Sequence, residues 1–210
     1  MSMGRNALMT ESGSKEQCAL IALGANLPVG GNAPEATLEK ALACLETCPG
    51  IEIASVSRWY HSPAYPPGSG PDFCNGAAAL RTTLVPEALL STLHQVEAHL
   101  GRERNLRWGP RVCDLDLLAM GNLILPNAET LRSWMALSPE RAAHEMPDQL
   151  LLPHPRMQDR AFVLAPLAEI APLWRHPLTG ATVSEMLATL GEDARAGVTP
   201  ISGSTMDGRE

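Results

Sequence analysis

Two aspartates are the residues whose type and spacing most clearly suggest chemistry. Asp114 and Asp116 stand two positions apart in the apolar segment VCDLDLLAM, residues 112–120. If that segment is a strand, both carboxylates project from one face of it. Neighbouring carboxylates repel each other unless a cation joins them, and Mg²⁺ takes such oxygens together with water and phosphate oxygens. The pair predicts a metal site; the alternative is a solvated strand face on which acids and leucines alternate.

A cationic segment leads directly into this pair. The sequence GRERNLRWGPR, residues 101–111, contains the arginines Arg102, Arg104, Arg107 and Arg111. Gly109 and Pro110 prevent a continuous helix there, and guanidinium forks suit phosphate oxygens. The segment is either an exposed charged loop or a phosphate clamp. Since phosphoryl transfer needs both a cationic clamp and a metal site, the combination favours the second interpretation. The sequence has neither a GxxxxGK[ST] loop nor a GxGxxG motif between a strand and a helix.

Residues further along could extend such a site. His154 in LPHP and Arg160 in DRAF would add donors for phosphate, although a histidine beside prolines also has a structural interpretation. The phenylalanines of the chain are Phe73 and Phe162. Each is either a core residue or a ring on which a flat heteroaromatic ligand stacks.

The elements that must position these residues follow a β-α-β-β-α-β order. Apolar and alternating patterns predict strands at 17–24, 51–61, 72–83 and 112–120, with helices at 34–48 and 86–100. This order is typical of an α+β, ferredoxin-like antiparallel sheet with helices packed on it. Further helices are expected at 139–144, 161–170 and 183–190, and a short edge strand at 150–152.

The length and composition indicate one folded domain. The chain has 210 residues, of which 45% are hydrophobic and 19% charged, and these values exclude the disordered and fibrous classes. We expect a single domain over 17–190, with an insertion at 122–149 that is either ordered or a mobile excursion. Residues 1–16 and 191–210 are expected to be a disordered and a frayed tail.

Charge and hydropathy narrow the partners. The formal net charge of −7 argues against a nucleic-acid-binding protein. No apolar run reaches the length of a membrane span, and the first sixteen residues lack the apolar region of a signal peptide. We therefore expect a cytoplasmic monomer that binds small-molecule substrates and neither nucleic acid nor a membrane. The five cysteines form no metal-binding motif and are expected to be buried free thiols.

Four segments carry a family resemblance. They are LGAN at 23–26, YHSPAY with PDFCN within 60–75, GRERNLRWGPRVCDLDL at 101–117 and LPHPRMQDRAFVLAPLAEIAP at 152–172. In this order they resemble the hydroxymethyl-dihydropterin pyrophosphokinases. The resemblance implies a ferredoxin-like enzyme that transfers the pyrophosphoryl group of ATP to the hydroxymethyl oxygen of a reduced pterin. AMP is released, and the reaction is a step of folate biosynthesis.

The resemblance also implies residue roles. Asp114 and Asp116 would hold two Mg²⁺ ions, and Arg102 and Arg111 would act catalytically by gripping the phosphates. The pterin would be bound by Ser62, Pro63, Ala64, Tyr65, Phe73, Asn75 and Phe162. ATP would be bound by Glu97, Arg104, Arg107, Trp108, Leu117, His154 and Arg160.

Two other classes of protein share part of this pattern. Strand carboxylates with arginines also suit a metal-dependent phosphodiesterase or nuclease, but the acidic total and the absence of a basic track argue against a polynucleotide substrate. A ferredoxin-like domain can also serve as a non-catalytic sensor. A sensor does not need the carboxylate pair, so the pair discriminates an enzyme from a sensor.

Overall fold

The computed structural model describes residues 16–64, 68, 70–101 and 111–202. In chain order the strands are β1 Gln17–Ala25, β2 Ile51–Val56, β3 Tyr60–Ser62, β4 Phe73–Thr82, β5 Asp114–Met120 and β6 Thr199–Pro200. The helices are α1 Pro34–Glu46, α2 Pro86–His99, α3 Ala128–Met135, α4 Pro139–His144, α5 Ala161–Ile170, α6 Val183–Thr189 and α7 Glu192–Arg195. Within these residues, no helix has the length and apolar character needed to cross a bilayer.

The strands form one antiparallel sheet. Its order is β5-β1-β4-β3-β6. Strands β2 and β3 pair with the same edge of β4, β2 along residues 78–82 and β3 along residues 73–75. The β-α-β-β-α-β order, the strand order and the antiparallel pairing together confirm the predicted ferredoxin-like fold. Both sequence-predicted long helices begin at a proline in their first turn, Pro34 and Pro86, where a missing N–H costs no helical hydrogen bond.

Each face of the sheet has its own apolar core. Helices α1 and α2 cover one face, where Ile21 and Leu23 of β1 are buried. Helices α5 and α6 cover the other face, where small side chains such as Ala77 and Ala79 of β4 allow the helices to approach closely. The interior strand β1 is therefore apolar on both faces, which explains its continuous run of hydrophobic residues. We call these surfaces the α1/α2 face and the α5/α6 face.

The predicted strand 51–61 is two strands in the structure. Between β2 and β3, the Ser57 hydroxyl accepts a hydrogen bond from the Ala77 N–H at 2.9 Å, so that a side chain replaces a main-chain partner. Trp59 is buried against Gly76, where an added Cβ would stand 2.4 Å from the indole ring. A wide indole packed on a glycine explains the interruption, because no other residue type at position 76 leaves it room.

The insertion 122–149 contains one expected and one unexpected helix. The predicted helix over 139–144 is confirmed as α4, and α3 was not predicted; its Leu131 is fully buried. The segment 150–152 does not form the expected strand. Instead, Leu152 makes a single antiparallel bridge with Leu125, with N···O distances of 2.9 and 3.2 Å. One paired residue before Pro153 is too little for a strand.

The expectation of a frayed C-terminal tail is wrong for residues 192–200. This stretch forms α7 and then β6, which pairs with the otherwise open edge of β3. The Gly, Ser and Thr composition cannot reveal this pairing, because it is main-chain hydrogen bonding to a strand about 140 residues away. Residues 1–15 and 203–210 lie outside the described residues, so the expectations for them stay predictions.

Candidate active site

The two aspartates lie on the α5/α6 face of the edge strand β5. Asp116 pairs with Ala22 of β1 and Asp114 pairs with Gly24, so both project from the same face, with Cα atoms about 6.7 Å apart. Both are partly exposed, whereas Leu115 between them is buried in the core beneath. The structure thus provides the side-by-side carboxylates that the sequence predicts.

These carboxylates fit a magnesium site of the substrate-dependent kind. Among the described residues, no third acidic, histidine or cysteine side chain joins them into a protein-only metal cluster. Mg²⁺ is commonly held by one or two carboxylates, with the remaining positions taken by water and substrate phosphates. The donor set therefore suits an ion that arrives with a polyphosphate.

Arg111 and Asn26 join the aspartates to two loops. The Arg111 guanidinium pairs with the Asp114 carboxylate. Its main-chain N–H donates to Oδ1 of Asn26 at 2.7 Å, and the Asn26 N–H donates back to the Arg111 carbonyl at 3.0 Å. The Asn26 amide also donates to the carbonyl of Pro71 at 3.0 Å. Asn26 is buried, and these bonds tie the end of the arginine segment to Pro71, near the end of the loop between β3 and β4. No spacing pattern in the sequence indicates this role of Asn26; the only signal is its place in LGAN.

His154 and Arg160 lie next to Asp116. The His154 N–H donates to the Leu118 carbonyl at 2.7 Å, which fixes the LPHP segment to β5. Burial and the positive charge of Arg160 lower the pKa of His154 to about 4, although the Asp116 charge acts in the opposite direction. Burial likewise lowers the pKa of Arg160, and Asp116 again opposes the shift. At neutral pH the imidazole of His154 is therefore neutral.

The hydrogen bonds of His154 settle its tautomer. Nδ1 accepts a hydrogen bond from the Arg156 N–H at 3.1 Å. A neutral imidazole that accepts at Nδ1 carries its proton on Nε2. His154 can therefore donate to an oxygen without first gaining a charge.

A three-residue row crosses the sheet at the site. Asn75 of β4 pairs with Gly24 of β1, which pairs on its other side with Asp114 of β5. Directly paired residues project from the same face, so Gly24 leaves open the space between the amide and the carboxylate. A Cβ at position 24 would stand 3.5 Å from Asn75 Oδ1 and 4.0 Å from Asp114 Cβ. Gly24 was not predicted as a site residue.

Ser62 and Asn75 form the polar part of the expected pterin side. Both are buried, and the Asn75 amide donates to the Ser62 hydroxyl at 2.8 Å. Phe73 lies on the same face, because it is two residues from Asn75 on β4. The loop after β3 is closed by Asp72, whose carboxylate accepts the Ala64 N–H at 3.1 Å. Pro63 lies between these fixed points and is exposed.

Phe162 lies on the first turn of α5. The residue is 39% exposed, so part of the ring remains available to a ligand. The Arg160 guanidinium carbon lies 5.8 Å from the ring centre, within the range of a cation–π contact. The structure thus brings Phe162 and Arg160 together at the start of one helix.

A clamp that the sequence did not suggest fixes α5 to the sheet. The Glu169 carboxylate near the end of α5 accepts the Tyr60 hydroxyl at 2.6 Å and the main-chain N–H of Arg58 at 2.9 Å. The Arg58 side chain donates to the same carboxylate at 2.8 Å. Burial and the bond to Glu169 raise the pKa of Tyr60 to about 12, so the phenol stays a donor. The clamp fixes β3 relative to the helix that carries Phe162.

Two residues predicted to bind ATP have buried side chains. The Leu117 side chain is buried in the core of the α1/α2 face, so only its main-chain groups can reach a ligand near the aspartates. Glu97 of α2 is buried, and its carboxylate accepts the Leu115 N–H at 2.7 Å. Glu97 thus braces β5 from below, and Leu117 packs in the core; that the two bind ATP stays a prediction. The predictions for Tyr65, Arg102, Arg104, Arg107 and Trp108 lie outside the described residues.

Carboxylates beside guanidinium groups on one face of a sheet suit a site for phosphate groups and a metal. Comparisons with known proteins define the class. The sequence model of the family 7,8-dihydro-6-hydroxymethylpterin-pyrophosphokinase (HPPK) matches residues 20–172. The 2-amino-4-hydroxy-6-hydroxymethyldihydropteridine pyrophosphokinase of Synechocystis sp. is 40% identical over 175 residues, 82% of this chain and 76% of the relative. The Pseudomonas aeruginosa protein of the same name is 39% identical over 172 residues, 82% of this chain and 91% of the relative.

A solved structure supports the fold independently. The crystal structure of wild-type Plasmodium falciparum HPPK-DHPS superposes with a TM-score of 0.59 at 14% identity, covering 85% of this chain and 45% of that one. The present chain thus spans less than half of that protein, and the likeness concerns the fold. The chain belongs to the 7,8-dihydro-6-hydroxymethylpterin-pyrophosphokinase family. Membership confirms the predicted reaction class, pyrophosphoryl transfer to hydroxymethyldihydropterin in folate biosynthesis.

Proposed function

We propose that the face around Asp114, Asp116 and Asn75 performs this transfer from ATP to 6-hydroxymethyl-7,8-dihydropterin, with release of AMP. The observation that carries the proposal is the row Asn75–Gly24–Asp114. An amide suited to a heterocycle edge and a carboxylate suited to a metal lie on one face, separated by a residue without a side chain. The reacting hydroxymethyl oxygen and the phosphate would meet above Gly24.

Asp114 and Asp116 are the proposed ligands of two Mg²⁺ ions. The bound metal would neutralise the charge of the polyphosphate. Arg111 contacts Asp114 in this structure. A guanidinium held at that position can turn to a phosphate oxygen when the carboxylate binds a cation, because both partners then exchange one charged neighbour for another. We assign Arg111 the role of holding the transferred group.

His154 and Arg160 are the proposed nucleotide contacts on the described part of the chain. The neutral imidazole donates from Nε2, and the partly buried guanidinium contributes a permanent charge beside Asp116. The main chain of Leu117 is a further candidate: the Leu115 N–H points away from β1 to Glu97, and main-chain groups two residues apart in a strand point the same way. Arg102, Arg104, Arg107 and Trp108 remain proposed contacts of the phosphates and the nucleotide, with Arg102 catalytic.

The proposed pterin side consists of Asn75, the main chain at 62–64, and the rings of Phe73 and Phe162. The Asn75 amide is oriented by its bond to Ser62, so its carbonyl oxygen is presented toward the space above Gly24. The partly exposed Phe162 ring would cover one face of the heterocycle and Phe73 the other. Tyr65 is the remaining proposed contact.

The protein then acts by positioning and charge neutralisation. The pterin oxygen must approach the β-phosphorus in line with the departing AMP oxygen, and holding reactants in that geometry can supply much of the acceleration. No residue of the chain needs to form a covalent intermediate. Because the proposed contacts all come from one chain, we also propose that the enzyme acts as a monomer. Its proposed location is the cytoplasm.

The test is a product assay with purified protein, ATP, Mg²⁺ and reduced hydroxymethyl-pterin, in which AMP and ADP are separated. Pterin-dependent AMP is expected, and its loss on addition of a chelator would support the metal role. Asp116→Asn is expected to abolish it. The matched control is Glu52→Gln, an exposed acid bonded to Arg81 at the far end of the sheet, which should retain full activity. ADP as the product would contradict pyrophosphoryl transfer, and full activity of Asp116→Asn would contradict the site. Light scattering that gives a dimer mass would contradict the monomer.

A further inference from the structure

The C-terminal segment, residues 192–202, lies beyond the part of the chain that matches the family, which ends at residue 172. It nevertheless forms α7 and β6 and contacts the strand that leads into the proposed pterin loop. None of its residues belongs to the site described above.

The segment extends the sheet beside β3. Pro200 pairs with Tyr60 and Thr199 with His61 in an antiparallel arrangement. The Ile201 N–H donates to the carbonyl of Trp59 at 2.8 Å. These contacts occupy main-chain groups of β3, whose last residue is Ser62.

A chain of polar contacts runs from this segment to the pterin loop. The Nδ1 atom of His61 lies 3.3 Å from the carbonyl oxygen of Gly197, and its Nε2 lies 2.9 Å from Oδ2 of Asp72. The other oxygen of Asp72 accepts the Ala64 N–H at 3.1 Å. Because a carbonyl and a carboxylate only accept, the ring donates to both when it carries both protons. Ala64 is thus fixed through Asp72 and His61 by a residue outside the site.

The segment also packs directly on the loop. Gly197 has a φ of +79°, and a Cβ added there would stand 3.0 Å from Cδ and 3.2 Å from Cγ of Pro63. Only glycine combines this backbone conformation with such a close approach. The position of Pro63 therefore depends on the backbone at residue 197.

We propose that the C-terminal segment is a positioning element for pterin binding, with His61 and Asp72 as positioning residues that hold the 62–64 main chain. The inference rests on the proposed function of those residues. The alternative is that the segment only covers the edge of the sheet and stabilises the fold. The two differ in what they predict for substrate affinity.

The test compares Gly197→Val, Asp72→Ala and His61→Ala with the unchanged full-length enzyme. The KM for the pterin is expected to rise about tenfold in each, which corresponds to the loss of about one well-placed hydrogen bond. The KM for ATP should change less than about twofold, because the nucleotide side is fixed by β5 and α5 instead. Glu52→Gln is again the control and should leave both values unchanged. Gly197→Ala serves if the valine variant does not fold.

A second readout separates this inference from the proposed function. Amide hydrogen exchange at Ala64 should accelerate about tenfold or more in Gly197→Val and in His61→Ala, whether or not the enzyme turns over. If the full-length enzyme makes no pterin-dependent AMP, the proposed function fails and the exchange rate alone decides the positioning. Unchanged exchange at Ala64, or an unchanged pterin KM in folded variants of an active enzyme, would overturn the inference and leave edge protection as the role of the segment.

Discussion

Replacing Gly24 by valine should separate activity from stability. Gly24 of β1 lies between its two paired residues, Asn75 of β4 and Asp114 of β5. At a strand spacing of about 4.8 Å, the outer two Cα atoms are about 10 Å apart across the glycine. A Cβ meets only ordinary contacts there, 3.5 Å to Asn75 Oδ1 and 4.0 Å to Asp114 Cβ. The Cβ itself therefore fits without distortion of the strand.

The expected loss follows from the space that valine fills. Its methyl groups stand about 2.5 Å from the Cα, well above the open floor of the site. A substrate displaced by about 1 Å from its reactive alignment can lose about a hundredfold in rate. We expect kcat/KM for the pterin to fall by about that factor, equivalent to about 2.7 kcal/mol in transition-state stabilisation. The free energy of unfolding should stay constant or rise, because a β-branched residue suits a strand better than glycine.

The measurements are steady-state AMP formation and urea unfolding, on Gly24→Val, Gly24→Ala and the control Gly191→Val. Position 191 has no atom within 4 Å of an added Cβ, so the control introduces the same side chain in open space. The alanine variant should lose activity by a smaller factor than the valine variant. A folded Gly24→Val enzyme with kcat/KM within threefold of the original would show that the substrates do not meet above Gly24, and would refute the reasoning.

Three further predictions concern the charges around the site. In Asp116→Asn the pKa of His154 should fall below its value of about 4, because the Asp116 charge raises it; an upward shift in an NMR titration would contradict the contact. Since the folded-state pKa of His154 lies below the ordinary 6.5, its contribution to stability is complete above pH 6.5 and is lost as the pH falls toward 4. The free energy of unfolding of His154→Gln in urea should therefore depend less on pH over that window than that of the unchanged enzyme. Equal slopes for the two proteins would contradict the lowered pKa of His154. Tyr60→Phe should lower the free energy of unfolding at pH 7 by about 1 kcal/mol through loss of the bond to Glu169, and a value near zero in urea titrations would show that the clamp is not stabilising.

The helices and strands with strong local patterns could be predicted from the sequence. Helix α5 was predicted with its observed bounds, because an apolar run between Arg160 and Pro172 leaves few alternatives. Helix α3 was missed, since its single fully buried residue, Leu131, gives no periodic signal. The single predicted strand over 51–61 failed at Trp59, because the interruption depends on Gly76 in another strand.

The site residues also divide into those that could be predicted from the sequence and those that could not. The carboxylate pair follows from the two-residue period of one strand, so Asp114 and Asp116 could be predicted to share a face. Gly24, Asn26 and Glu169 could not be found from spacing, since each acts through residues far away in the chain. The bond between Asn26 and Arg111 spans 85 residues, and the bond between Glu169 and Arg58 spans 111.

The sequence by itself determined the order of elements, the motifs of the family and hence the reaction class, because these depend on local periodicity and on residue types at fixed spacing. Only the tertiary structure decided which residues share the floor of the site, and that the C-terminal segment reaches the pterin loop. The physical reason is that sheet register and loop contacts are set by packing between distant parts of the chain. No local pattern records which main-chain groups will meet.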